Sequence, residues 1–189
     1  MLKLKDDLVG CLRNDKNSKE RIYKAFYGYT MGVISRYITD RSDSEELVND
    51  SFIKIFKNIS QFSFPQDPED LNKAFRGWVA RISSRSAIDF LRTRRTYLYI
   101  EDITEYQHPI GDVNVISKLH VQDILSLLYA LPEMHRLIIN MYEIEGFSHD
   151  EIAEMLNIPV SSSRVYLTRA KNKLRTLYSN TLIQSYATK

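Results

Sequence analysis

The chain has 189 residues, enough for one or two small domains each with a core of its own. Its 43% apolar and 26% charged residues are those of an ordinary globular protein, and the formal net charge of +2 hides an uneven distribution. Cys11 is the only cysteine, so an internal disulfide is excluded. Neither Cys11 nor the scattered His108, His120, His135 and His149 has metal-ligand spacing, and no metal or other cofactor is expected. A signal peptide and a long apolar run are both missing, which points to a cytoplasmic protein without membrane insertion. Six Gly and five Pro without strand alternation favour an all-α chain. Residues 41–70 and 97–158 are acidic overall, whereas 71–96 and 160–178 are strongly basic. Alternating blocks of this kind suit separate surfaces for separate partners, some of them polyanions.

Residues 3–13 and 18–38 read as helices separated by Asn14–Ser18. Ile22, Phe26, Tyr29, Val33 and Tyr37 recur at helical spacing and read as core. After a turn at 40–43, Ser42 and Glu45 have capping-box spacing. The next helix, about 43–59, buries Val48, Phe52, Ile55, Phe56 and Ile59, flanked by Leu47 and Ser51. Its other side carries Glu46, Asn49, Asp50, Lys54 and Lys57, with Ile53 in their midst. That isoleucine reads two ways: an ordinary exposed apolar residue, or the anchor of a polar-rimmed partner interface.

Ser60–Asp70, with Pro65 and Pro68, reads as a loop, and a long helix follows over about 71–95. Phe75, Val79, Ile82, Ser86 and Phe90 face its core side. Arg81, Arg85 and Arg92 form a basic stripe that Arg94 and Arg95 extend, and Trp78, the only tryptophan, stands at its margin. An arginine stripe beside an aromatic suits single-stranded or partly opened nucleic acid, because guanidinium groups pair with phosphates and an unstacked base lies on a ring. The alternative is a core Trp edging a solvated face. Residues 97–115 read as a linker, with Glu101, Asp102, Glu105 and Asp112 unmatched by any Lys or Arg. Such a tether is either merely solvated or a mimic of a nucleic-acid strand in a basic channel.

The last third begins with a helix from about 116 to 131, and Pro132 opens another, 133–145, that Gly146 ends. Ser148 and Glu151 have capping-box spacing at the head of a short helix carrying Ile152, Ala153 and Leu156. Asn157 tolerates a left-handed cap and Pro159 cannot continue the ladder, so this helix stops and a second runs from about 160 to 178. On that second helix Ser163, Leu167, Ala170, Leu174 and Leu177 share one face, and Ser161, Val165, Thr168, Arg169, Asn172 and Lys173 the other. Its charged residues are Arg164, Arg169, Lys171, Lys173 and Arg175, with no acid among them. A solvated surface helix is the plain alternative. Uncompensated charge on the second helix of a capped pair favours a helix-turn-helix entering a DNA major groove.

Taken together, the two halves resemble the extracytoplasmic-function sigma factors, small members of the sigma-70 family that direct bacterial RNA polymerase to promoters. In the first half the likeness rests on Asp43–Phe56, Phe75–Ile82 and Ala87–Arg92. In the second it rests on Leu131–Glu133, Tyr142–Ser148, Glu151–Ala153 and Arg169–Arg175. A helix-turn-helix occurs in many regulators; the order and spacing of both halves is the stronger signal.

The resemblance implies two small helical domains, 1–96 and 116–189, joined by the linker 97–115. It implies binding to core polymerase at the clamp helices of its largest subunit and at the flap, with Glu46, Asn49, Asp50, Ile53, Lys54 and Lys57 as the polymerase-binding residues. It further implies recognition and opening of the −10 element by Trp78, Arg81, Arg85, Arg92, Arg94 and Arg95. The −35 element would be read by Ser161, Ser162, Arg164, Val165, Thr168, Arg169 and Lys173. An anti-sigma factor is a further partner the family admits. No catalytic residues are expected, the chemistry being the polymerase's. Arg85 stands where the family often has Asn, the loop 60–73 is long for it, and Ser162–Val165 replaces the usual Thr-Val-Lys-Ser. A helix-turn-helix regulator with an N-terminal sensor or dimerisation domain is the rival reading; it predicts operator binding without polymerase.

Overall fold

The computed structural model describes residues 3–98 and 121–187, with side chains over 3–93 and 124–179. Among the described residues every regular element is helical. The chain divides into two units, Met1–Thr93 and Arg94–Lys189. The expected linker lies outside the described residues, apart from Tyr97 and Leu98, which extend a helix.

The first unit opens with a helical hairpin, α1 (Leu4–Leu12) and α2 (Lys16–Ile34). The break between them is shorter than the five residues expected. Asn14 takes a left-handed turn (φ 62°), which a short polar side chain tolerates, and Asp15 caps α2 by accepting the Ser18 N–H at 2.8 Å. A hydrogen bond from the Ser18 hydroxyl at 2.6 Å, with that backbone bond beside it, holds the Asp15 carboxyl below the usual range. Across the hairpin, Arg21 pairs with the buried Asp7 and donates to Ser18 Oγ at 3.1 Å. Leu8 and Cys11 complete the buried seam, and burial pushes the Cys11 thiol up to about 11.

α3 (Arg41–Lys57) begins two residues before the start expected at about 43. Its cap is Asp40, which accepts from the Asp43 N–H at 2.9 Å, rather than Ser42 of the expected capping box. The Arg41–Glu45 pair occupies the side chain that box would have used. Leu47, Val48, Ser51, Phe52 and Ile55 are buried as expected, and Phe56 is half-buried. Short 3₁₀ turns at Ile59–Gln61 and Pro68–Asp70 interrupt the loop that follows.

The 28-residue α4 (Leu71–Leu98) then crosses the unit. Phe75 is fully buried at the centre of an aromatic cluster, with Phe26 at 4.9 Å, Phe62 at 5.4 Å and Trp78 at 5.9 Å between ring centroids. Buried Ser83, Ser84 and Ser86 each donate to the carbonyl four residues back, which lets a small-residue seam pack without orphaned hydroxyls.

The second unit contains α5 (Val121–Tyr129), α6 (Glu133–Ile139), α7 (His149–Leu156) and α8 (Val160–Ala187). The helix expected over 133–145 changes register at Asn140, where a single π-type turn runs to Ile144 before Gly146 turns the chain at φ 71°. Leu137, Ile138, Met141, Phe147 and Ile152 form the core on which Leu167 and Ala170 of α8 close.

Gly10 is the tightest point of the hairpin: a Cβ there would lie 2.7 Å from Ser18 Cβ and 2.1 Å from its Oγ. Gly10→Ala is expected to destabilise the first unit by about 1–3 kcal/mol, the usual cost of forcing extra volume into a packed seam. Chemical denaturation followed by Trp78 fluorescence measures it.

Candidate partner and nucleic-acid interfaces

The outer face of α3 forms one candidate surface. Burial of the Val48–Phe52–Ile55 stripe leaves Glu46, Asn49, Asp50, Ile53, Lys54 and Lys57 outside, all exposed. Ile53 is 65% exposed, the most exposed large apolar side chain among the described residues. Two members of this face are held by neighbouring helices. Tyr23 of α2 donates its hydroxyl to Asn49 Oδ1 at 2.9 Å, and Lys54 Nζ donates to Ser86 Oγ of α4 at 2.9 Å. Neither link is visible to a wheel drawn on α3 alone, since the partners lie 26 and 32 residues away.

On α4, Arg85 and Arg92 are exposed, and Arg81 is half-buried at the edge of the seam. Asp89 lies 3.3 Å from Arg92, so the basic stripe carries one acid within it. Arg94 and Arg95 continue the helix, but their side chains lie outside the described residues. Trp78 is half-buried, its ring against Phe62 and Phe75 and its remaining surface open beside the stripe. The indole is therefore partly core and partly surface. Phe64, stacked edge-on against Phe62 and 39% exposed, joins the same aromatic end of the unit, and sequence reasoning had not singled it out.

The helix-turn-helix is built from the α7 cap outward. Ser148 Oγ accepts the Glu151 N–H at 3.2 Å, and the Glu151 carboxylate accepts the Ser148 N–H at 2.9 Å, a reciprocal capping box. Asn157 supplies the left-handed turn (φ 52°) and Pro159 precedes α8. Ser163 is fully buried on the inner face of α8, where its hydroxyl meets His149 Nδ1 at 2.9 Å. The imidazole in turn stacks on Tyr142 at 4.4 Å. The polar residue on the buried stripe is thus satisfied, and α7 is pinned to α8 at that point.

On the outer face Ser161, Arg164, Val165, Thr168, Arg169 and Lys173 are exposed and Ser162 is half-buried. Val165 is 47% exposed. Thr168 donates its hydroxyl to the Arg164 carbonyl at 3.1 Å, so outward it offers a methyl group and an acceptor oxygen. Lys171 pairs with Glu143, which removes it from the free cations of α8.

Two helical units, the second carrying a capped helix-turn-helix with a cationic outer face, define a DNA-binding protein of transcription. Residues 22–97 match the family model for Sigma-70 region 2, and residues 122–174 match that for Sigma-70, region 4. The chain is 26% identical over 169 residues to the ECF RNA polymerase sigma factor SigW of Bacillus subtilis, covering 83% of this chain and 82% of that protein. It is also 26% identical over 174 residues to the ECF RNA polymerase sigma-E factor of Haemophilus influenzae, covering 86% and 88%. A co-crystal structure of the sigma factor RpoE with the anti-sigma factor NepR, from Bartonella quintana, shares the fold at a TM-score of 0.50. Identity there is 17%, with coverage of 85% of this chain and 96% of that one. The chain belongs to the sigma-70 family, as an RNA polymerase sigma factor of the extracytoplasmic-function type.

Among the described residues of the second unit, the half-buried imidazoles of His135 and His149 have lowered pKa values. Burial, with Arg169 and Lys173 alongside, lowers His135; burial, with Arg164 alongside and Asp150 opposing, lowers His149. A depressed folded pKa stabilises the fold fully above the unfolded value near 6.5, and that contribution is lost as pH falls through the folded values. The thermal midpoint of the second unit, followed by NMR signals from α7 and α8, is expected to hold steady from pH 8 to about 7 and to fall below about 6.5. His135→Gln should make that fall shallower.

Proposed function

We propose that this chain binds bacterial core RNA polymerase through the outer face of α3 and directs it to promoters. The first domain, 1–96, recognises and opens the −10 element, and the second, 116–189, reads the −35 element and meets the flap. The observation that carries the reading is Ile53, a large apolar side chain 65% exposed among Glu46, Asn49, Asp50, Lys54 and Lys57. An exposed apolar centre with a polar rim is the composition of a protein interface. It docks on the clamp helices of the largest subunit.

Along α4, Arg81, Arg85 and Arg92, with Arg94 and Arg95 beyond them, pair with phosphates of the opening strand, and Trp78 offers the open part of its ring to an unstacked base. The acidic linker 97–115 follows the path that nucleic acid takes in the polymerase. On α8, Ser161, Ser162, Arg164, Val165, Thr168, Arg169 and Lys173 lie against the −35 duplex. Arg164 contacts phosphate, while Val165 and Thr168 meet bases. The chain is not itself an enzyme; catalysis belongs to the polymerase, and the complex works in the cytoplasm. An anti-sigma factor is a further partner, as NepR is for the related sigma factor.

Reconstitution tests the assignment: the chain mixed with bacterial core polymerase should start transcription at specific promoters, while alone it binds them weakly. Ile53→Asp should fold normally yet lose about 2–4 kcal/mol of polymerase affinity, as at a desolvated hot spot. Affinity unchanged in a pull-down or titration would remove Ile53 from the interface.

The valine makes a separate prediction. An apolar group in the major groove suits a thymine methyl better than a hydrogen-bonding edge. Val165→Ser is therefore expected to alter preference at one −35 base pair by the low end of about 1–3 kcal/mol. Arg164→Ala should weaken all −35 sequences alike. Selection from a randomised promoter library separates the two patterns.

A further inference from the structure

Glu46, Asn49 and Ile53 recur at i, i+3 and i+7 and lie in one line along the outer face of α3. A carboxamide has two ends of opposite polarity, an oxygen that accepts and an NH₂ that donates twice. On an open helix surface it turns freely and offers either end. Asn49 is not free to do so, because the Tyr23 hydroxyl donates to Asn49 Oδ1 at 2.9 Å. Tyr23 is itself held by the core of the unit. Its half-buried ring lies 4.7 Å from the ring of buried Phe52 and 5.5 Å from that of Tyr27. The hydroxyl position is therefore set by the packing of α2 on α3. With Oδ1 occupied from within the unit, the amide nitrogen of this exposed side chain is left for an outside acceptor.

We propose that Tyr23 is a positioning residue of the α3 docking surface, holding Asn49 so that its NH₂ meets a carboxylate or carbonyl acceptor on the polymerase. The inference rests on the reading of α3 as the polymerase-binding face and adds to it a polarity. Along the line, Glu46 is an acceptor, Asn49 a donor and Ile53 apolar. The matching surface carries a cation or donor, an acceptor and an apolar pocket in the same order. Anchoring by Tyr23 also lowers the entropy lost when the amide is fixed on binding.

The test titrates the fluorescently labelled full chain with bacterial core polymerase and reads affinity by anisotropy. Tyr23→Phe keeps the ring against Phe52 and deletes only the hydroxyl. It is expected to weaken binding about 3- to 10-fold, what ordering one freed side chain on binding costs, with an unchanged thermal midpoint. Asn49→Ala should weaken binding at least as much, and the double variant no further than Asn49→Ala alone, because Tyr23 acts through Asn49. Asn49→Asp keeps an acceptor for Tyr23 but puts a second acceptor where the NH₂ was; it should bind worse than Asn49→Ala. Wild-type affinity for Tyr23→Phe, additive losses in the double variant, or good binding by Asn49→Asp would each overturn the proposal. If Ile53→Asp abolishes binding while these variants do not, the docking reading stands and the positioning role alone is lost. If Ile53→Asp binds normally, the docking reading fails and takes this inference with it.

Discussion

The first unit depends on the packing around Phe75. Its fully buried ring takes an edge from Phe26 of α2 and another from Phe62, and lies near Trp78 on its own helix. Aromatic pairs in tilted or edge-to-face geometry add about 0.5–1.5 kcal/mol each beyond the area they bury. The larger effect here is directional. Phe62 follows directly on the 3₁₀ turn after α3, so one cluster fixes the end of α3, the middle of α2 and the start of α4. Once the inner stripes of α3 and α4 are pinned there, the 3.6-residue period decides which side chains remain outside. Ile53 is exposed and the arginines of α4 share an edge because Phe75 is buried.

The second unit reaches the same end with polar contacts. Ser163 sits where an aliphatic side chain would pack, and its hydroxyl is matched by His149, whose ring is covered by Tyr142. A buried hydroxyl without a partner would cost about 1–3 kcal/mol; paired, it sets the separation of α7 and α8. The two presented faces differ in kind. α3 offers mixed charge around an apolar centre, suited to a protein surface. α8 offers cations and hydroxyls without acids, suited to phosphate and base edges.

Periodicity made most of the helices legible, together with the inner stripe of α8 and the capping box at Ser148. These signals are local, and a helix that buries one face must repeat it every turn. Boundaries were less legible. α3 starts at Arg41 because Asp40, a residue outside the apolar pattern, caps it, and α6 changes register at Asn140 with no Gly or Pro to mark the place. α2 ends at Ile34 although Tyr37 and Ile38 are still buried, because burial outlasts the helix. What could not be read were pairings between helices. Tyr23 with Asn49, Lys54 with Ser86 and His149 with Ser163 are set by tertiary approach, which no single-helix pattern encodes. Membership of Lys54 and Asn49 in a surface was visible; which end of each side chain is occupied was not.

The sole cysteine has a practical consequence. Cys11 is 3% exposed in the α1–α2 seam, and its raised pKa leaves almost none of it as the reactive thiolate at neutral pH. In the folded chain a cysteine introduced on an outer face would thus be the one thiol that a maleimide dye modifies quickly. Single-site labels can be placed on α3, α4 or α8 with the natural residue at position 11 left intact, and the tightly packed hairpin around it undisturbed.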